Sequence, residues 1–200
     1  MSATTAPSVP VPAWLPATKA LTIADVAALP RTLPSGDVKY ELDDGRLVVM
    51  PPPGDIHGSA QNKFGSALLI QGEAKGFGKS RTEVGLILRR NPDRLVGPDA
   101  VFVAAASLPL RRSPEGYLET IPELVVEIRS PNDSDPEVQA KVNEYLAAGV
   151  RIVWVADPDR QTVTTYRMGQ APQILGPTEL LTIPDVIPGF QALVADLLRD

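Results

Sequence analysis

The chain has 200 residues, of which 44% are hydrophobic and 22% charged, and this ordinary globular usage excludes a wholly disordered chain. Its net charge of −5 argues against a protein that coats nucleic acid without sequence preference, because such binding depends on Lys and Arg neutralising phosphates. The absence of cysteine excludes disulfides, thiolate metal sites and a cysteine nucleophile, and it fits a reducing cytoplasm.

The ends of the chain and its hydropathy suggest where the protein resides. No apolar run approaches the roughly 20 residues that span a bilayer, and prolines at positions 7, 10, 12 and 16 would interrupt a signal-peptide core. We therefore expect a cytoplasmic protein with no membrane partner. Residues 1–20, rich in Pro, Ala, Ser and Thr, are predicted to form a flexible tail, and residues 21–200 a single domain.

The first predicted elements are a short helix and a β-hairpin. Thr22 can cap a helix that runs through about Leu29, where Pro30 ends it. Apolar and polar residues alternate between Val38 and Met50 around an Asp44-Gly45 turn, which is typical of a hairpin.

The rest of the chain alternates helices with short strands. Apolar residues at helical spacing predict a helix over about His57 to Glu73, and breakers predict a loop from Ser107 to Pro122. Asp135 is expected to cap the next helix, with Pro136 at its first position and Gly149 just past its end. Strands are predicted over residues 84–89, 99–103, 123–129, 150–156 and 162–167, and a last helix over about 190–199. This order indicates an α/β or α+β protein with a mixed β-sheet.

Two acidic residues lie where apolar strands are predicted. Asp99 follows Pro98 at the start of one strand, and Glu127 interrupts the apolar sequence of another. A carboxylate inside a buried strand is costly unless a partner compensates for it. The pair therefore indicates a divalent-metal site, although Asp99 could simply begin its strand and Glu127 could point to solvent from a strand with one wet face.

A lysine on the following helix completes this group. Lys141 lies beside the apolar stripe that Val138, Val142 and Tyr145 define, so it lies on or next to the helix face that is turned to the sheet. One reading is a lysine whose stem packs while its ammonium reaches water. The other is that the ammonium reaches the two carboxylates, and each charge would then explain how the others are tolerated.

Other polar residues allow two readings each. His57 could touch substrate or transfer protons, or it could make a structural hydrogen bond at a helix start. The basic residues between positions 75 and 94 could line a nucleic-acid site or form a solvated surface. They are Lys75, Lys79, Arg81, Arg89, Arg90 and Arg94.

An ordered set of motifs resembles the Uma family of endonucleases, in the PD-(D/E)XK, restriction-endonuclease-like superfamily. The match covers roughly residues 22–195, and each motif is weak alone but specific in this order. The motifs are Tyr40 to Gly45, Met50 to Pro53 with His57, Pro98 to Val103, Glu123 to Ile128 with Ser130-Pro131, Lys141 through Tyr145 to Gly149-Val150, Trp154, and Asp157-Pro158.

The resemblance implies a restriction-endonuclease-like central mixed β-sheet flanked by helices and a nuclease that acts on nucleic acid, with DNA expected. It also implies that Asp99 and Glu127 bind Mg²⁺ or Mn²⁺ together with the backbone carbonyl of Ile128 and waters. Glu41 matches an early acidic position and could be a further ligand or support one from behind.

The superfamily usually places a lysine two residues after the second acid, where this chain has Arg129, so the catalytic lysine maps onto Lys141. Arg129 and His57 are expected to contact substrate. A homodimer would suit cleavage of both strands of a duplex. The rival hypothesis is a catalytically inactive nuclease-like module that binds or assembles, which the acidic net charge favours.

Overall fold

The computed structural model describes residues 20–33 and 36–199. The predicted flexible tail lies outside the described residues, apart from Ala20. The α-helices are α1 (Ile23–Ala27), α2 (Asp55–Leu68), α3 (Asp135–Ala147) and α4 (Val194–Leu198). The strands are β1 (Thr32–Leu33), β2 (Gly36–Asp37), β3 (Lys39–Asp43), β4 (Arg46–Met50), β5 (Gly78–Thr82), β6 (Leu86–Arg89), β7 (Arg94–Val96), β8 (Ala100–Ala104), β9 (Leu124–Ile128), β10 (Ile152–Asp157), β11 (Thr162–Tyr166), β12 (Gln173–Leu175), β13 (Leu180–Leu181) and β14 (Ala192–Leu193).

A six-stranded mixed sheet lies at the centre of the fold, in the order β12-β11-β10-β9-β8-β5. Strands β9 and β10 run parallel and are connected through α3, as a parallel pair requires a crossover. The other neighbouring pairs of this sheet are antiparallel. Helices α2 and α4 pack in the apolar cluster on one face, and α3 packs in the cluster on the other. This architecture confirms the predicted mixed α/β class with helices flanking a central sheet.

A second sheet, in the order β4-β3-β7-β6, stands beside the first. Its hairpin β3–β4 turns at Asp44 and Gly45, which both have positive φ, as a two-residue turn of this kind requires. Helix α1 closes this sheet by burying Ile23 and Val26 against Leu42 and Leu95. The packing of α1 against this sheet therefore holds β3 and its side chains in a fixed position.

Most predicted elements are present, with local differences at their ends. Helix α2 starts at Asp55, and a π-helical turn continues it over Leu69–Glu73, so the helical stretch still ends at Glu73 as predicted. The cap of α3 was assigned wrongly to Asp135, because Ser134 forms a capping box with Glu137, and two hydrogen bonds satisfy the helix start. The predicted terminal helix is only five residues long, since Ala192–Leu193 pairs with Leu180–Leu181 instead.

Strand β5 is an element that the sequence did not reveal. Its residues, Gly78–Thr82, lack an apolar alternation. Gly78 is required there because a Cβ would lie 2.1 Å from the carbonyl oxygen of Val103 on the neighbouring strand. None of the helices in the described part of the chain is long and apolar enough to cross a membrane.

Candidate active site

Asp99 lies at the point where the chain enters β8, and four contacts fix it. Its Oδ2 accepts a hydrogen bond of 2.7 Å from the backbone N–H of Ile128 and lies 3.3 Å from Nε2 of His57. Its carbonyl oxygen accepts from Nε2 of Gln61 at 3.3 Å and from the N–H of Glu83 at 3.3 Å. The carboxylate is therefore held directly against the end of β9.

Glu127 points from β9 to the face that α3 covers, so it does not simply point into solvent. Its Oε1 accepts a hydrogen bond of 2.5 Å from the hydroxyl of Tyr145, and its Oε2 lies 3.4 Å from Nζ of Lys141. The side chain is 15% exposed. Tyr145 was predicted only as part of the apolar stripe of the helix, although its position four residues after Lys141 already placed the two side chains on one face.

Lys141 connects two acids from different sheets. Its ammonium lies 3.4 Å from Glu127 and 3.6 Å from Oε1 of Glu41 on β3. Oε1 of Glu41 also accepts a hydrogen bond of 3.1 Å from the N–H of Gly97. Both readings of the lysine hold in part, because the side chain is still 32% exposed while its ammonium contacts the carboxylates.

The cluster has strongly perturbed protonation equilibria. Burial raises the pKa of Glu127 to about 7, and the charges of Asp99 and Glu41 add to this rise, while Lys141 and Tyr145 oppose it. The charge of Glu127, with that of Glu41, raises the pKa of Lys141 further above its usual value despite burial. Lys141 is therefore an ammonium group at neutral pH.

A buried arginine, predicted only as a member of the basic run between positions 75 and 94, holds the cluster from behind. Nε and Nη2 of Arg94 donate hydrogen bonds of 2.6 and 2.7 Å to the two carboxylate oxygens of Glu144 on α3. Nη1 of Arg94 donates to the carbonyl oxygen of Leu42 at 3.1 Å and lies 3.7 Å from Oε2 of Glu41. The guanidinium thus joins β3, β7 and the helix that carries Lys141.

His57 and Arg129 occupy different surroundings. His57 lies on α2 with its ring against Asp99, and no group in the described part of the chain hydrogen-bonds its buried Nδ1. Burial lowers the pKa of His57, but the hydrogen bond and charge of Asp99 outweigh it and raise the pKa overall. Arg129 follows β9, and its guanidinium contacts Asp135 at 2.5 Å, Asp157 at 3.7 Å and the carbonyl oxygen of Asp133 at 2.8 Å.

The basic run between positions 75 and 94 is largely ion-paired. Glu73 pairs with both Lys79 and Arg81, and Arg90 pairs with Glu115 and Glu119. Arg89 pairs with Asp44 and the buried Arg94 with Glu144. Most of the positive charge of the run is therefore paired with carboxylates.

Asp99, Glu127, Glu41, Lys141 and His57 line one cleft of about 380 Å³. Within residues 20–33 and 36–199, no three His, Asp or Glu side chains are grouped closely enough to hold a metal ion. Mg²⁺ nevertheless often takes only one or two carboxylates and completes its shell with waters and substrate phosphates. Asp99, Glu127 and the backbone of Ile128 line this cleft, and their carboxylate and carbonyl oxygens are ligands of this kind.

A mixed sheet flanked by helices, with two acids at the adjacent ends of β8 and β9, defines a restriction-endonuclease-like protein. The chain belongs to the Uma2 family, described as "Putative restriction endonuclease", whose model matches residues 24–196. A solved structure from Anabaena variabilis ATCC 29413, described as a putative nuclease belonging to DUF820, matches with a TM-score of 0.71 and 22% sequence identity. The match covers 89% of this chain and 97% of that one, which establishes a common fold.

No curated protein matches the sequence significantly. The family supports a nuclease function in general and nucleic acid as the substrate.

Proposed function

We propose that the protein is an endonuclease that hydrolyses phosphodiester bonds of nucleic acid, with DNA as the expected substrate, and that it requires Mg²⁺ or Mn²⁺. The observation that carries the proposal is the convergence of Asp99, Glu127 and the Lys141 ammonium from three separate segments in one cleft. A buried cluster of like charges beside an ammonium is typical of a functional site, because folding alone does not favour it.

The carboxylates of Asp99 and Glu127 and the carbonyl of Ile128 would hold the cation. The chemistry that such a cation supplies is polarisation of the phosphoryl oxygen and activation of a water. The N–H of Ile128 and the ring of His57 keep the Asp99 carboxylate in place, and the Tyr145 hydroxyl does the same for Glu127. Glu41 supports Lys141 from behind, since its carboxylate is engaged by Gly97, Arg94 and Lys141 itself.

Lys141 would orient the attacking water and offset charge on the phosphorane-like transition state. In the metal-free protein the charge of Glu127 raises the pKa of Lys141, so Lys141 is an ammonium group at neutral pH and can offset negative charge. His57 lies beside Asp99 and lines the same cleft, so it would contact the substrate phosphate or sugar.

The alternative is an inactive nuclease-like module that binds or assembles. The net charge of −5 and the ion pairs that occupy much of the basic run favour it. The two hypotheses differ in one measurable respect, since an inactive module would not cleave any nucleic acid when supplied with metal.

The test compares the wild type with Glu127→Gln and Lys141→Ala on single-stranded, duplex and branched DNA and on RNA, in Mg²⁺, in Mn²⁺ and in EDTA. We expect cleavage by the wild type only with metal, and a loss of about a hundredfold or more in each variant, as is usual when a charged group that stabilises a transition state is removed. Calorimetry with Mn²⁺ should show binding that Glu127→Gln weakens.

Matched controls separate these roles from a general change of surface charge. Lys75→Ala removes an exposed lysine and Asp159→Asn an exposed carboxylate, and both should leave cleavage and Mn²⁺ binding unchanged. Metal-dependent cleavage that persists in Glu127→Gln and Lys141→Ala would reject the assigned roles. A wild type that binds nucleic acid but cleaves none of the four substrates would support the inactive module instead.

A further inference from the structure

A second pocket, of about 190 Å³, adjoins the cleft. Glu127 and Lys141 line both cavities, so the pocket begins where the proposed reaction takes place. Its inner walls are aliphatic: Val138 and Val142 come from α3, and Val155 comes from β10 next to Glu127 in the strand register. A ligand in the cleft can therefore extend a part of itself into an apolar space beside the scissile bond.

The charges around this pocket select against a phosphate. Carboxylates of Asp133 and Glu137 line it, and they would repel an anion. Arg129 also lines it, but its guanidinium is already paired with Asp135 and Asp157. The positive charge of Arg129 is therefore largely neutralised, and a planar guanidinium is a group on which a flat ring can stack. These features suit a neutral, planar group with polar edges.

The size of the pocket sets a second limit. Sites for drug-sized molecules have volumes of about 300 Å³ or more, so a pocket of about 190 Å³ admits one small ring system rather than a stack of bases. Oδ2 of Asp133 and Oε2 of Glu137 already accept hydrogen bonds from Ser130 and Ser134. The second oxygen of each carboxylate can accept from an exocyclic amino group, as Asp and Glu do from cytosine.

We infer that this pocket takes one unpaired nucleobase, preferably one that carries an exocyclic amino group, from the nucleic acid whose phosphodiester lies in the cleft. The inference rests on the proposed function and narrows its substrate to nucleic acid with an unpaired nucleotide beside the cut. A base inside a duplex cannot enter, because unstacking and unpairing it has a free-energy cost that an already unpaired base avoids.

The first experiment fills the pocket. Val138→Phe places a ring in the cavity, and Ala147→Phe adds the same ring to the exposed end of the same helix as a control. The substrates share one sequence and are single-stranded, fully paired, or paired with one unpaired cytosine. The wild type and Ala147→Phe should cleave at the unpaired cytosine roughly tenfold to a hundredfold faster than the paired duplex, and Val138→Phe should lose this preference.

The second experiment measures binding without cleavage or metal. In the Glu127→Gln background, an oligonucleotide with 2-aminopurine at the unpaired position should become several-fold more fluorescent on binding, as the base leaves its stacked neighbours. Adding Val138→Phe should abolish the rise, and adding Ala147→Phe should not. If the wild type cleaves and Val138→Phe retains both the preference for the unpaired cytosine and the fluorescence rise, the pocket does not bind a nucleobase. The proposal of a nuclease would then remain intact. No cleavage and no binding by the wild type would overturn both.

Discussion

Arg94 and Glu144 form a bidentate ion pair that fastens α3 to β7, with donor–acceptor distances of 2.6 and 2.7 Å. Lys141 and Tyr145, on the same helix, both reach Glu127. The position of the helix relative to β3 and β9 therefore determines whether the acids and the ammonium meet. The arginine of this ion pair is buried, since its side chain is only 7% exposed.

Replacing Arg94 with Met should lower the free energy of unfolding by about 3 kcal/mol, because the partly buried Glu144 loses its bidentate partner and the buried Glu41 keeps only Lys141 and the N–H of Gly97. Arg90→Met is the matched control, since Arg90 is 40% exposed and its pairs with Glu115 and Glu119 should contribute less than about 1 kcal/mol. Urea denaturation of both variants at pH 7 measures the difference. Equal destabilisation of the two variants would mean that the Arg94–Glu144 pair contributes no more to stability than an exposed ion pair.

Glu127→Gln should stabilise the protein at alkaline pH when EDTA is present. The pKa of Glu127 is about 7 in the folded state, above the usual 4.5. Between pH 4.5 and 7 the folded protein therefore binds more protons than the unfolded protein, and the stability of the wild type declines as pH rises. Gln cannot ionise and can still accept the Tyr145 hydrogen bond, so the variant should be more stable by roughly 3 kcal/mol at pH 8. Near pH 4.5 the two proteins should differ little.

Urea denaturation at pH 4.5, 6 and 8 checks this dependence. Asp159→Asn, which neutralises an exposed carboxylate, provides the comparison and should follow the wild type at each pH. A Glu127→Gln variant that is less stable than the wild type at pH 8 would show that the carboxylate, once ionised, contributes more through Lys141 than its burial costs.

The sequence predicted those parts of the site that depend on local pattern. A carboxylate in an apolar strand required a partner, and the apolar stripe of α3 placed Lys141 towards the sheet, so the approach of Glu127 and Lys141 could be foreseen. Arg94 could not be recognised, because an arginine in a basic run has the same local pattern whether it is buried or solvated. Its burial depends on β7 pairing with β3, which lies far earlier in the chain, and on Glu144 of α3.

The fold was predictable for similar reasons and to a similar extent. Strands with apolar runs, such as β9 and β10, were recognised because both of their faces are covered by helices. Strand β5 was missed because it is an edge strand, paired only with β8, and its central residues Lys79, Ser80 and Arg81 are polar and only half-buried. The capping box of α3 is present in the sequence as Ser134 and Glu137. The neighbouring Asp135 is also a residue type that caps helices, so the sequence offers two candidates for the same position.

Tyr145→Phe should shift the pH dependence of cleavage. The Tyr145 hydroxyl donates to Glu127 and favours its ionised form, so removing it should raise the pKa of Glu127 further. The rate at pH 6 should fall by about tenfold, and the rate at pH 9 should change much less, which corresponds to a shift of about one pKa unit. A pH–rate profile of cleavage between pH 5.5 and 9.5 measures the displacement.

Tyr166→Phe is the control for this shift, since Tyr166 lies on β11 and does not contact the acids. Its profile should superimpose on that of the wild type. If Tyr145→Phe lowered the rate equally at all pH values, the hydroxyl would serve only to pack or position the helix.

Glu73→Ala should destabilise the protein and expose the edge of the central sheet. Glu73, at the end of the π-helical turn, accepts a hydrogen bond of 2.8 Å from the N–H of Ser80 on the edge strand β5 and pairs with Lys79 and Arg81. Burial would raise the pKa of Glu73, but these bonds and charges outweigh it and lower the pKa overall. Its stabilisation is therefore present above the ordinary carboxyl pKa and is lost as pH falls through the lower folded-state value.

We expect Glu73→Ala to lose about 1 kcal/mol at pH 7 and to approach the wild type near pH 3. Urea denaturation measures the stability, and light scattering at raised concentration detects association through the uncovered strand edge. Asp159→Ala, at an exposed turn, should change neither readout, and a Glu73→Ala variant that kept wild-type stability at pH 7 would show that the edge of β5 needs no cover from this carboxylate.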